Sequence, residues 1–186
     1  MNRTMNKATD ENGMNGIVGT WEGVPVYYST LCDWSEPNLK INLKIKKLFS
    51  DATLPTIGSL HAAGVDLYAY IPEGSVEINP YTTQKINTGL AMEIPNGTFG
   101  GIFARSGLAT KQGLRPINCV GVVDSDYRGA VIVALYNDSD EIRTIHHGDR
   151  IAQLIIIPYL PTNIIEVEEL SDTKRGTGGF GSTGVN

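Results

Sequence analysis

Short β-rich runs separated by turn residues are the feature that most limits the possible fold of this chain. From Ile41 onward such runs follow one another closely, and prolines with neighbouring Gly or Asn stand between them, which is typical of turns. The only helical candidate is brief, at SGLATK. The pattern predicts an all-β sandwich, jelly roll or barrel. Its expected strands are VDLYAYI, SVEI, QKINTGLAMEI, TFGGIFA, CVGVV, AVIVALYN, EIRTI, RIAQLIII and IIEVEEL.

The first forty residues differ from the rest. The chain is polar up to about Asn15, which predicts disorder, and GIVGTWEGVPVYYSTL then offers two short strand-like runs around Glu22-Gly23. We therefore expect three segments. They are an N-terminal extension of unassigned role at 1–40, partly disordered, a β domain at 41–172, and a flexible Gly-rich tail at 173–186.

Composition narrows the class of function. The net charge is −5 and basic residues form no block, so a nucleic-acid polymer is not expected as the main ligand, whereas a single nucleotide needs only a few donors. No run of 18 apolar residues suggests membrane insertion. Two cysteines without a CxxC pair favour a reducing compartment, and the three histidines lack zinc-ligand spacing. We expect the cytoplasm, and the nucleus is compatible.

Residues 117–137 contain the first candidate site. Two strand-like runs flank DSDYRG, which predicts a hairpin with Asp124 and Asp126 two residues apart. Turns favour Asp because its carboxylate bonds the local backbone, so a structural role is open. The alternative is that one carboxylate orients and deprotonates a water molecule. Tyr127 could stack on a sugar or base.

A second candidate site lies in ARSGLATKQG. Arg105, Ser106 and Gly107 follow a strand and precede a possible helical turn. A guanidinium, a hydroxyl and backbone N–H groups together form an anion site, although the tripeptide RSG also occurs in many loops.

Two polar residues interrupt otherwise apolar strands. Asp66 lies within VDLYAYI, where a carboxylate requires a cation, and Arg150 is its natural partner. Gln153 lies within RIAQLIII, which indicates a specific hydrogen bond.

The tail RGTGGFGSTG suits a nucleotide better than a core. Glycines let backbone N–H groups approach phosphate oxygens, Arg175 adds a bidentate donor, and Phe180 offers a flat face for a base. A disordered linker is the alternative, but a linker requires neither Arg175 nor Phe180.

In this order, AAGVDLYA, ARSG, GVVDSDYRG, GDRIAQLI and RGTGGFGSTG resemble the five motifs of the trimeric dUTPase family (deoxyuridine triphosphate nucleotidohydrolases). The resemblance covers roughly Ile41 to the C-terminus. Ala104 stands where the family usually has Pro, and Val123 replaces a common Ile; both changes are conservative. The resemblance implies a distorted jelly roll, or β-clip, that forms a homotrimer with three shared sites.

The resemblance implies hydrolysis of dUTP to dUMP and pyrophosphate, which keeps uracil out of DNA and supplies dUMP for dTMP synthesis. Asp124 would activate the water that attacks the α-phosphorus in line, and Gln153 would contact an α-phosphate oxygen or that water. Mg²⁺ would be held chiefly by phosphates and waters, with no direct protein ligand. Asp66 would either pair with Arg150, which is the role that we favour, or lie near the water shell of the metal. Asp126 would shape the hairpin.

The resemblance also assigns binding roles. The hairpin would read uracil through backbone groups and leave no room for a thymine methyl, and Tyr127 would pack on deoxyribose and exclude a 2′-hydroxyl. The base and sugar residues would be Asn118, Val123, Tyr127 and Phe180. The phosphate residues would be Arg105, Ser106, Gly107, Arg175, Gly179, Gly181, Ser182 and Thr183. One chain would supply the Asp66, Ser106 and Gln153 segments, a second the hairpin, and a third the tail.

Three alternatives stay open. A dCTP deaminase, or a bifunctional relative on the same fold, would require a proton-shuttling Glu, and residues 118–136 contain none. A nucleotide-sensing regulatory protein would use the same site for binding alone. A purely structural β trimer would give no reason for Arg105, Asp124, Gln153 and Arg175 to coexist.

Overall fold

A computed structural model describes residues 6–9, 15–21, 24–28 and 41–179. Strands dominate these residues and helix α1 is short, so the all-β prediction is confirmed. Within the described parts of the chain, no helix is long and apolar enough to cross a membrane.

The N-terminal extension contains a three-stranded antiparallel sheet in the order β1 (Asn6–Thr9), β2 (Asn15–Trp21) and β3 (Val24–Tyr28). Strands β2 and β3 confirm the two predicted runs around Glu22-Gly23. Strand β1 lies within the stretch up to Asn15 for which the sequence predicts disorder, and that expectation stays a prediction. A two-stranded hairpin is only marginally stable, and a polar third strand can pair through its backbone irrespective of its side chains.

The β domain contains eleven further strands and one helix in the described residues. They are β4 (Lys44–Lys47), β5 (Thr56–Ile57), β6 (Val65–Tyr68), β7 (Ser75–Ile78), β8 (Thr83–Glu93), β9 (Thr98–Phe103), α1 (Ser106–Gln112), β10 (Leu114–Pro116), β11 (Gly121–Val123), β12 (Ala130–Asn137), β13 (Arg143–His146) and β14 (Arg150–Pro158). Helix α1 confirms the brief helix predicted at SGLATK. It ends at Gly113, whose φ of 67° is left-handed and whose N–H bonds the carbonyl of Leu108.

The strands form two main sheets and a ribbon, and all strand pairs are antiparallel. One sheet has the order β10-β12-β8-β4, the other has the order β11-β9-β14-β6-β5, and β13 pairs with β7. Aliphatic side chains from both sheets form one core cluster, with Leu90 and Leu135 from the first sheet and Leu67 and Leu154 from the second. Alternating burial along β12 matches the period of two that the sequence shows.

The strand predicted at IIEVEEL is wrong. No strand follows Pro158 in the described residues, and Leu160, Ile164 and Leu170 are 87%, 91% and 87% exposed. A β-rich pattern forms a strand only where another strand edge pairs with it, and no strand among the described residues pairs with this segment. We call residues 159–172 the C-terminal arm.

Candidate active site

The expected hairpin around DSDYRG is a connection between the two sheets. Strand β11 pairs with β9, and β12 pairs with β8 and β10, so β11 and β12 are not hydrogen-bonded to each other. The hairpin prediction is therefore wrong in its pairing, although both strands and the turn between them exist. Residues 124–129 form the connection.

The separation of β11 and β12 leaves one edge of β11, and one edge of β12 before Leu135, without a strand partner among the described residues. Strand β11 lies at the edge of its sheet, and β10 covers β12 only at 135–137. The carbonyl of Ala134 accepts a hydrogen bond from Ile117 N–H on the β10 side at 2.9 Å. Because main-chain groups alternate along a strand, those of Ile132 and Ala130 point to the same side.

A cavity of about 230 Å³ lies between these two edges. We call it the base cavity. Its walls bring together four residues that the sequence predicted, Asn118, Val123, Asp124 and Tyr127. It is also lined by Ile102, Gly121, Val122, Ala130, Val131 and Ile132.

Tyr127 folds back over the connection. Its hydroxyl donates to the carbonyl of Ala130 at 3.1 Å, and its N–H donates to the carbonyl of Asp124 at 3.2 Å. A Cβ at Gly129 would lie 2.4 Å from the Tyr127 hydroxyl oxygen and 2.6 Å from Cζ, so only glycine permits this ring position. The sequence alone does not predict this role of Gly129, because it depends on how the Tyr127 ring folds.

Arg128 fastens the same connection and was also missed. Its Nη1 donates to the carbonyls of Ser125 and Tyr127 at 2.7 and 3.0 Å. A basic residue inside DSDYRG was the available signal, since a guanidinium can bond several carbonyls of one loop. Asp124 is exposed at the start of the connection, and Asp126 is exposed within it.

Asn118 enters the base cavity from a tight turn after β10. Cys119 has a φ of 60° and donates its N–H to the carbonyl of Pro116 at 3.1 Å. The Asn118 amide nitrogen lies 3.4 Å from the position that a Cβ on Gly121 would take. The side chain of Val123 is buried in the core, so this residue lines the base cavity while it anchors β11.

Asp66 holds two arginines at the far end of the β11–β9–β14–β6 sheet. Its Oδ1 accepts from Arg105 Nε at 2.9 Å and its Oδ2 accepts from Arg150 Nη1 at 3.1 Å. Arg105 Nη1 also donates to the carbonyl of Arg150 at 3.0 Å. The predicted Asp66–Arg150 pair is present, and Arg105 joins it. The cluster carries one net positive charge beside the start of α1, where Ser106 and Gly107 are exposed.

Gln153 supports this cluster from β14. Its Nε2 donates to the carbonyl of Ala104 at 2.9 Å, directly before Arg105. The predicted specific hydrogen bond exists, and it fixes the end of β9.

The Gly-rich tail is described as far as Gly179. Lys174–Thr177 form a turn, and Arg175 Nε donates to the carbonyl of Gly178 at 2.8 Å. The predicted site residues Phe180, Gly181, Ser182 and Thr183 lie outside the described residues.

The predicted residues thus form two separate groups in one chain. Across the described ranges, no hydrogen bond or ion pair joins Asn118, Val123, Asp124 or Tyr127 of the base cavity to the Asp66 cluster. Nor do three His, Cys, Asp or Glu side chains in these ranges gather as a metal site.

A family model described as dUTPase matches residues 50–184. The chain belongs to the dUTPase family. A deoxyuridine 5′-triphosphate nucleotidohydrolase of Nautilia profundicola is 49% identical over 144 residues, which is 77% of this chain and 99% of that protein. A mutant dUTPase of Staphylococcus bacteriophage 80alpha, solved with dUpNHpp, aligns with a TM-score of 0.70 at 28% identity and covers 78% of this chain and 100% of its own.

A second solved dUTPase is informative about metal. The mutant enzyme of phage phi11 of S. aureus aligns with a TM-score of 0.61 at 26% identity, over 69% of this chain and 98% of its own, and reveals the coordination of a structural Mg(II) ion. The residues matched by the dUTPase family model begin at Ser50, so the N-terminal three-stranded sheet lies outside the match.

Proposed function

We propose that this protein hydrolyses dUTP to dUMP and pyrophosphate. The observation that carries the proposal is the base cavity between two unpaired strand edges, with Asp124 in its wall. Uracil presents one N–H between two carbonyl oxygens, and a bare strand edge presents N–H and C=O groups that can pair with it. A dUTP hydrolase acts where DNA precursors are made, so a cytoplasmic location, or a nuclear one, follows from this activity.

Selection for dUTP then depends on shape. The main-chain groups of Ile132 belong to a strand that β8 holds from its other side, so the edge cannot shift to admit a 5-methyl group. Cytosine presents an amino group where uracil has a carbonyl, so an edge that donates there would face a second donor. Tyr127, held over Gly129, packs on the deoxyribose and excludes a 2′-hydroxyl.

Asp124 is the proposed general base. Its carboxylate is exposed in the wall of the base cavity, and its own carbonyl is fixed by Tyr127 N–H. The Asp124 carboxylate orients a water molecule and takes its proton. The water oxygen then attacks the α-phosphorus in line. Pyrophosphate leaves from the opposite side of that phosphorus.

The Asp66 cluster is the proposed phosphate site. Arg105 uses Nε and Nη1 within the cluster, which holds the guanidinium plane in place and leaves Nη2 to meet a phosphate oxygen. The Ser106 hydroxyl and Gly107 N–H stand beside it, and no atom lies within 4 Å of a Cβ built on Gly107, so the triphosphate can approach closely. Gln153 positions this segment through Ala104 and contacts the α-phosphate or the water.

Mg²⁺ is the proposed cofactor. Both oxygens of Asp66 already accept guanidinium hydrogen bonds, so this carboxylate is not a free ligand, and the ion fits a site made by phosphate oxygens and waters. When bound, Mg²⁺ would neutralise phosphate charge. Arg105 and Arg175 orient the phosphates from the protein side, and Gly179, Gly181, Ser182, Thr183 and Phe180 close over the nucleotide.

A homotrimer with shared sites is the proposed assembly. The base cavity and the Asp66 cluster are separate in one chain. The C-terminal arm exposes Leu160, Ile164 and Leu170, and it pairs with no strand in the part of the chain that the structure describes. Both features support a site completed by neighbouring copies of the chain. Co-expression of Asp124→Asn with Ser106→Ala tests this: mixed oligomers should regain activity that neither variant has alone. Sites contained in one chain would regain none.

The activity test is pyrophosphate release from dUTP, dCTP, dTTP and UTP with Mg²⁺, for the wild type and Asp124→Asn. Rapid release from dUTP alone, lost in the variant, supports the proposal. Release from dCTP with ammonia would instead indicate a dCTP deaminase or its bifunctional relative. The lining of the base cavity argues against deamination, because it contains no Glu. A correctly folded protein that turns over none of the four would leave the nucleotide-sensing alternative.

A further inference from the structure

Strand β8 departs from regular pairing where it passes behind the base cavity. Ile132 pairs with Asn87 and Ala130 pairs with Ala91, so Val131 alone faces the three residues between them on β8. The middle one, Gly89, has a φ of 71°, and a Cβ there would lie 2.7 Å from the Cβ of Ala52. This bulge interrupts the regular register between β8 and β12 at Val131.

The hydroxyl of Thr88 adds a side-chain hydrogen bond inside this bulge. Thr88 Oγ1 donates to the carbonyl of Val131 at 2.8 Å, and the two residues are only 1% and 2% exposed. When a hydrogen bond is lost at a buried site, water does not replace it. The Thr88 hydroxyl therefore forms a buried side-chain bond between β8 and β12 at the bulge.

This tie lies directly behind the reading edge of the base cavity. Val131 stands between Ala130 and Ile132, which line the base cavity. On the β10 side, β12 is bonded only from Ala134 onward. No other strand pairs with β12 opposite Val131 within the described residues. The path of the edge at the base cavity therefore depends on what β8 holds there.

We propose that Thr88 is a positioning residue for base recognition: through Val131 it holds the β12 edge at the spacing that uracil requires. The inference rests on the proposed function and extends it to a residue that does not line the base cavity. Asp124 belongs to the connection after β11, so the chemical step should not depend on this bond.

The test is Thr88→Val, which keeps the shape and removes the hydroxyl. Because one hydrogen bond is lost, dUMP affinity by calorimetry and the KM for dUTP should each weaken by about three- to tenfold, with kcat within about twofold. The preference for dUTP over dTTP in kcat/KM should fall as well. Thr88→Ser, which retains the hydroxyl, should restore dUMP binding to near the wild-type value.

Thr98→Val is the matched control. Thr98 is also 1% exposed, and its Oγ1 donates to the carbonyl of Pro95 at 2.7 Å, outside the base cavity. Both Val variants should lose stability, but only Thr88→Val should lose dUMP affinity. Equal weakening in both, or wild-type affinity in Thr88→Val, would overturn the inference.

Two further outcomes are decisive. Should Thr88→Val fail to fold, Thr88→Ser and Thr88→Ala share the loss of the methyl group and differ in the hydroxyl, so equal dUMP affinity in that pair overturns the inference. A wild type that binds dUMP without hydrolysing dUTP refutes the proposed activity, while the dUMP comparison still decides the role of Thr88. A wild type that binds no dUMP overturns both.

Discussion

Gly129→Ala should weaken discrimination between dUTP and UTP, because a methyl group at this position displaces the Tyr127 ring. The new Cβ would lie 2.4 Å from the hydroxyl oxygen and 2.6 Å from Cζ, against about 3.4 Å for an ordinary contact. The ring must therefore move by about 1 Å, the difference between 3.4 and 2.4 Å. Gly129 has no left-handed φ, so alanine adds no backbone strain.

A misplacement of about 1 Å can cost up to about 10²-fold in a positioned reaction. The displaced Tyr127 also loses its hydrogen bond to Ala130, worth about 0.5–1.5 kcal/mol. We therefore expect the ratio of kcat/KM for dUTP to kcat/KM for UTP to fall by about 10- to 10²-fold. Steady-state pyrophosphate release with both nucleotides measures this ratio.

Two controls separate the ring from general damage. Gly58→Ala adds a methyl group where no atom lies within 4 Å, and should leave the ratio unchanged. In a Tyr127→Ala background the ring is gone, so Gly129→Ala should have no further effect on the ratio, as a double-mutant cycle would report. A wild-type ratio in Gly129→Ala, or a full effect without Tyr127, would refute this reasoning.

Three further predictions concern the cluster, the base and the arm. Asp66→Asn should lower the free energy of unfolding, measured by urea denaturation, by about 2–4 kcal/mol. This loss is smaller than for a fully buried ion pair, because the Arg150 side chain is half exposed. An unchanged urea midpoint would contradict the prediction. Asp124→Asn should lower kcat by about 10²–10⁴-fold at unchanged stability, and a loss below tenfold would argue against a general base. Ile164→Asp with Leu170→Asp should abolish self-association in light scattering while strand content by circular dichroism persists, since both side chains are exposed in one chain; an intact oligomer would exclude the C-terminal arm from the interface.

The sequence located strands well where their own alternation was strong. The burial pattern of β12 follows the period of two, and the polar interruptions at Asp66 and Gln153 correspond to real polar contacts. Strands β5 and β10 were not predicted, because a strand of two or three residues is too short to show the alternation of apolar and polar residues.

Pairing was the property that the sequence could not provide. The two runs that flank DSDYRG suggest a hairpin because they are adjacent in sequence. In the structure, however, β11 pairs with β9 and β12 pairs with β8. The prediction for the C-terminal arm was wrong for the opposite reason. Its pattern is that of a strand, but no strand of the described residues pairs with it. The roles of Gly129 and Thr88 depend on where Tyr127 folds and where β8 bulges, which no local pattern contains.

If the base is read by main-chain groups of β11 and β12, specificity is protected from simple point mutation. No side-chain substitution deletes a peptide N–H, except replacement by proline, so these positions can change residue type while the strand keeps its path. A base analogue that pairs with this edge would therefore encounter few single-residue routes to resistance inside the cavity. Resistance would instead arise from substitutions behind the cavity, at residues that determine the path of the strand.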